Sequence, residues 1–193
     1  MSKNRMEAFS DGVIAIVITI MVLKLDIPAQ PTVKALLDKA PIAIYYAMSY
    51  AYIGTYWLNH HQLISKITTV GGKLLWKNLF WLFCLSFIPF TTEFMGRYPF
   101  NPLATFVYGI VLLLSAVSYF AIQNEIVHWQ GPESAIAKQI GRDIKGKVTL
   151  GMYVLAVCLA FFFPKISAVL YFISPLFWII PDMRLKNIDE GTY

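Results

Sequence analysis

The chain has 193 residues, of which 58% are hydrophobic and only 14% charged, with a mean hydropathy of +0.59. A soluble domain of this size is about half apolar and about a quarter charged, so that class is excluded. The net charge is +5 and the pI about 9.1, but no basic run with interleaved aromatics accompanies the excess. It points to cationic loops on the cytoplasmic face of a membrane, not to nucleic acid.

The apolar residues come in long continuous runs. A β-barrel would alternate apolar and polar positions in short segments, so the runs predict a polytopic all-α integral membrane protein. Six segments are expected, roughly 5–26, 41–64, 74–95, 103–127, 145–163 and 166–181, in one domain spanning 1–193. A crossing helix needs roughly 20 residues. The last two segments are shorter and meet at Pro164-Lys165, a break that allows either two short crossings or one interrupted one.

Charge decides between these. With the N-terminus inside, eleven Lys and Arg fall on the inner side: Lys3, Arg5, Lys66, Lys73, Lys77, Lys138, Arg142, Lys145, Lys147, Arg184 and Lys186. Five fall outside: Lys24, Lys34, Lys39, Arg97 and Lys165. This bias predicts six transmembrane helices with both termini cytoplasmic, in the plasma membrane.

The first segment, RMEAFSDGVIAIVITIMVLKLDIP from Arg5 to Pro28, is apolar from Gly12 to Leu23 except for Thr19. Its basic start resembles a signal peptide, but no small-residue cleavage site follows the apolar core, and an uncleaved helix is expected. Ser10 and Asp11 lie one turn inside its start. An ionisable group at membrane depth costs a few kcal/mol, so Asp11 needs a function and a partner.

Other polar features have weaker functional claims. His60 and His61 close the second segment, but His128 is the only further histidine. A metal site needs three or four ligands, so no resident metal or other cofactor is expected, and polar pairing near the interface is the better role. Val107-Tyr108-Gly109 resembles the tail of a carbonyl filter, yet falls inside a helix whose carbonyls are already used. No nucleophile–base pair, HExxH, P-loop or GxGxxG is present, so no enzyme is expected. Cys84 and Cys158 both sit in apolar runs and are read as small buried hydrophobes. In the polar insert 129–147, Ile136, Ile140 and Ile144 recur every four residues, which predicts an amphipathic helix on the membrane surface.

Ile16, Ile20 and Leu23 share one face of the first helix, with Gly12 and Thr19 on or beside it. Apolar residues cover every other face too, so periodicity alone does not say which face meets lipid and which meets a pore.

The run Arg5-x-x-x-Phe9-Ser10-Asp11-Gly12 before an apolar helix carrying Thr19, with Trp57-x-x-His60-His61 at the end of the second segment, resembles the signature of the endosomal/lysosomal transmembrane potassium channel family. This chain is similar to its bacterial single-repeat members, which lack the TVGYG filter. The resemblance implies a homotetramer around a central pore lined by the first helix. It implies a hydrophobic constriction at Ile16, continued by Ile20 and Leu23, and a ring of Thr19 hydroxyls. It also implies a structural network of Arg5, Phe9, Ser10 and Asp11 with Asn59, His61 and Asn78. The partners are sister subunits, the bilayer and permeant monovalent cations, K+ foremost, with no other metal. The competing reading is a secondary transporter or proton-coupled carrier using Asp11, against which stand the missing inverted repeat and the missing pair of broken helices.

Overall fold

The computed structural model describes residues 2–131, 133–141 and 143–179. Every regular element among them is helical: α1 Lys3–Val22, α2 Val33–Leu37, α3 Ala40–Ser65, α4 Gly72–Ser86, α5 Ile88–Arg97, α6 Pro102–Gln130, α7 Ala135–Gly141, α8 Ile144–Leu159, α9 Pro164–Ile173 and α10 Leu176–Ile179. The predicted inner cations Arg142, Arg184 and Lys186, and the end of the sixth segment, lie outside the described residues.

Local chemistry sets the ends. Asn101 Oδ1 accepts from the backbone N–H groups of Leu103 (3.0 Å) and Ala104 (3.2 Å) at the start of α6, where Pro102 supplies a ready-made helical φ. Thr32 and Asp143 cap α2 and α8 in the same way. The expected third segment is broken in the structure. Pro89 lacks the N–H that would continue the helix, and the chain kinks at Phe87 between α4 and α5. The first helix also stops sooner than expected, at Val22, and tightens through i→i−3 bonds from Leu23 to Ile20 and from Lys24 to Met21.

The stretch Gly72–Arg97 (mean hydropathy 1.4) and α6 (2.0) are long and apolar enough to cross a membrane by length and composition. At 29 residues, α6 is about 43 Å long. α8 and α9 are shorter, with 16 and 10 residues, and fold back on each other as a packed hairpin.

Helix α6 is the spine. α4, α5, α8 and α9 all pack along it, while α1 lies against α3, α4 and α5. Two apolar cores result. One joins Met6, Ile14, Val17 and Met21 of α1 to Ile53 and Ile64 of α3, Trp81 and Leu85 of α4 and Ile122 of α6. The other gathers Tyr52, Met95, Tyr108, Tyr153 and Tyr171. Close crossings use glycine. A Cβ on Gly96 would stand 2.7 Å from the Ile42 backbone, and one on Gly109 would collide with the Tyr171 hydroxyl. Gly109 thus belongs to the packing of α6, and its neighbour Tyr108 shares a 2.9 Å hydrogen bond with Ser49.

Two expectations are corrected here. A helix does form in the polar insert, but Ile136 of α7 is buried and Ile140 packs against the first core, while Ile144 is exposed at the start of α8. Ile136 and Ile140 serve the bundle and do not share an outward face with Ile144. Cys84 is buried as expected, whereas Cys158 is exposed on the outside of α8; neither is in a disulfide.

Candidate functional site: the two faces of the first helix

α1 presents two distinct faces. Met6, Ser10, Ile14, Val17 and Met21 point into the bundle and are buried. Arg5, Phe9, Gly12, Ile16, Thr19 and Leu23 point away from it and are exposed, with Ile16 at 58% and Leu23 at 79%. These outward residues alternate in steps of four and three, the 3.5-residue spacing by which helices face a shared axis. A Cβ on Gly12 would meet nothing within 4 Å, so no packing inside the subunit requires that glycine. Ile20 is turned about 40° from Ile16 and flanks the stripe. With Val13, Pro89 and Phe90, both isoleucines line an open groove of about 350 Å³ between α1 and the α4–α5 kink.

Thr19 donates its hydroxyl hydrogen to the Ile16 carbonyl oxygen at 2.9 Å. With its proton held against its own helix, the hydroxyl oxygen offers lone pairs outward. That is the polarity a cation requires.

The inward face is fixed by hydrogen bonds. Ser10, fully buried, donates to the Met6 carbonyl at 2.8 Å and accepts from Asn78 Nδ2 at 2.9 Å. Asn78 Oδ1 in turn accepts from His60 Nε2–H at 2.9 Å, which fixes the His60 tautomer. The His60 ring stacks on Trp81 with centroids 4.8 Å apart.

A second set of contacts runs down the flank between α1 and α3. Lys3 Nζ donates to the Ser65 carbonyl (2.9 Å), His61 Nδ1–H to Glu7 Oε1 (2.8 Å) and Trp57 Nε1–H to Asp11 Oδ1 (2.9 Å). Each step of four residues up α1 meets a step of four down α3, so the three contacts form an antiparallel ladder. Trp57 and His61 also stack, with centroids 6.5 Å apart. At the other end of α1, Lys24 pairs with Glu93 (3.1 Å), and Asp26 pairs with Arg97 (3.2 Å) and Lys39 (3.6 Å). Both ends of α1 are therefore tied to the bundle, and the apolar middle of its outward face is exposed.

The expected network is assembled only in part. Ser10 meets Asn78, and His61 joins α1 through Glu7. Asn59 does not reach α1; its Nδ2 donates to the Thr55 carbonyl of its own helix at 2.9 Å. Arg5 and Phe9 are exposed, and among the described residues no ion pair or hydrogen bond ties Arg5 to Asp11. Asp11 is held by Trp57, a partner that residue type alone does not suggest. His60 is the other residue missed. The signal for Trp57 was spacing: Lys3, Glu7 and Asp11 fall at i, i+4, i+8 on one helix, matched by Trp57, His61 and Ser65 on the next, a pattern that does not include His60.

Comparison with known proteins bears on this face. A family model described as endosomal/lysosomal potassium channel TMEM175 matches residues 5–89. A potassium channel of Chryseobacterium sp. is 42% identical over 194 residues, covering 99% of this chain and 100% of its own length. An endosomal/lysosomal proton channel TMEM175 of Homo sapiens is 37% identical over 89 residues, 38% of this chain and 18% of its own. The fold is similar to the crystal structure of a lysosomal potassium-selective channel TMEM175 homolog from Chamaesiphon minutus. The TM-score is 0.80 at 27% identity, over 92% of this chain and 96% of that one.

Proposed function

The chain belongs to the endosomal/lysosomal potassium channel TMEM175 family, and we propose that it is a potassium-selective leak channel of the plasma membrane, an ion conduit and not an enzyme. In this reading each subunit crosses the bilayer six times with both ends in the cytoplasm. Four copies turn the outward stripe of α1 to a common axis.

The observation that carries the reading is that stripe. Arg5, Phe9, Gly12, Ile16, Thr19 and Leu23 are exposed at a 3.5-residue repeat, on a helix whose opposite face is buried and hydrogen-bonded. Ile16 forms the narrowest ring, and Ile20 and Leu23 continue an apolar wall toward the Lys24 end. A narrow isoleucine ring excludes water until an ion or a small widening wets it. An ion crossing it sheds part of its hydration and finds no carbonyl cage in return. Potassium, more easily dehydrated than sodium, is favoured. Four Thr19 oxygens, one turn further on, offset part of the cost. The Asp11–Trp57 hydrogen bond supports an anchoring role for Asp11 over a carrier role, because the indole holds one of its carboxylate oxygens.

The test is flux from proteoliposomes under a potassium gradient with no coupling ion. Wild type should conduct, and Ile16→Asn should raise the flux more than about tenfold by wetting the ring. Unchanged flux in a folded Ile16→Asn protein, or a particle with Ile16 on its outer perimeter, overturns the assignment.

A further inference from the structure

An open groove of about 470 Å³, with no residue of α1 in its lining, lies between α3 and α9. Its walls are the start of α3 (Pro41, Ile44), the connection before α6 (Pro99, Phe100) and α9 (Val169, Phe172), all apolar. Phe100 stands at φ 59°, a left-handed conformation that bulky L-residues rarely adopt, and its ring is half exposed as one wall. The Lys165 ammonium lies 5.9 Å from the centre of that ring. Of the other four cations assigned to this end, all but Lys34 differ from it. Lys24, Lys39 and Arg97 each pair with Asp26 or Glu93, whereas among the described residues Lys165 has no acidic partner.

We propose that this groove binds the acyl chain of an anionic phospholipid, with the lipid phosphate seated on Lys165. An apolar trough open to the side and ending under an uncompensated, exposed ammonium matches a lipid's order of tail, then phosphate. α9 packs on α8 and α6, whereas α1 packs on α3, α4 and α5. If the stripe of α1 faces the axis, as proposed above, the groove faces acyl chains and not a sister subunit.

The experiment is native mass spectrometry of the full-length protein extracted from nanodiscs of equal phosphatidylglycerol and phosphatidylcholine. Wild type should retain the anionic lipid about fivefold over the neutral one, the preference expected for one lysine near a phosphate. Lys165→Gln should bring the ratio close to one while total bound lipid is kept. Val169→Trp, which fills the groove from an exposed position, should reduce both lipids. An unchanged ratio in Lys165→Gln overturns the proposal. So does unchanged retention in Val169→Trp, or a disulfide between two copies formed by a cysteine at 169. Retention is read without ion flux, so a failed groove leaves the Ile16 result standing. An intact lipid preference beside a failed Ile16 result overturns the pore reading alone.

Discussion

The two faces of α1 are built from nearly the same residue types, yet they do opposite things. Ile14 and Ile16 are two positions apart; one is 2% exposed and the other 58%. The outward face carries Arg5 and Thr19, whereas the inward one is apolar apart from the Ser10 hydroxyl. It is buried because Asn78 and His60 wait for it. Turning α1 by half a turn would leave the Asn78 Nδ2 donor without its partner in an apolar interior, at about 1–3 kcal/mol, while the His60–Asn78 bond between α3 and α4 would remain. Hydrogen bonding helps to choose which side of this helix meets the subunit.

The sharpest way to break that comparison is the same substitution on both faces. Ile14→Asn places an amide without a partner in the first core and removes a well-packed side chain, and should destabilise the protein by about 3–5 kcal/mol. Ile16→Asn should leave the unfolding midpoint within the error of wild type. Thermal unfolding in detergent, followed by tryptophan fluorescence, separates the two. Equal losses would mean that the faces are not distinct.

Next in size is the removal of the hydrogen-bond centre. Asn78→Leu strands the His60 Nε2–H and takes from Ser10 the donor it accepts from, and should cost about 2 kcal/mol. Ser10→Ala relieves Asn78 of only one partner and should cost less. If Asn78→Leu unfolds at the wild-type midpoint, the chain from Ser10 to His60 does not orient α1.

How far this site could be read in advance follows from the same residues. Ser10, Asp11 and Asn78 stood out because each is polar within an apolar run. Their partners did not, because partnership depends on helix phase and crossing register, which no single segment contains. His60 and His61 look like one unit in the sequence, but adjacent helix positions point about 100° apart. His60 turns onto Asn78 and Trp81, and His61 turns out to Glu7. Asn59 satisfies its donor on its own helix, a local bond that competes with any distant one. The helical class was legible because long apolar runs leave few alternatives. The kink at Phe87 was marked by Pro89, yet the segment was still expected to run unbroken, since a proline inside an apolar run fixes a bend only once its neighbours pack.

The flank ladder gives a smaller effect. Trp57→Phe keeps an aromatic ring beside His61 but removes the indole donor to Asp11, which remains partly accessible to water. A loss of about 1 kcal/mol is expected. The Lys3–Ser65 and Glu7–His61 rungs should hold the register, so flux should change little. A collapse of flux at unchanged stability would instead favour the carrier reading, with Asp11 acting on a transported ion.

The smallest effect tests the outward face itself. Thr19→Val conserves shape and removes only the hydroxyl. Its hydrogen bond to the Ile16 carbonyl is intrahelical and exposed, so stability should stay within about 0.5 kcal/mol of wild type. Selectivity should move because the oxygen lone pairs are gone, while the isoleucine ring that imposes dehydration is untouched. The potassium-to-sodium ratio, from reversal potentials under bi-ionic conditions, should fall by about twofold, the effect of a contact worth about 0.5 kcal/mol. Thr19→Ser, which restores an oxygen at the same place, should recover it. A ratio that is equal in wild type, Thr19→Val and Thr19→Ser would assign selectivity to Ile16 alone. A ratio that collapses to one would make the hydroxyl ring, and not the hydrophobic constriction, the principal filter.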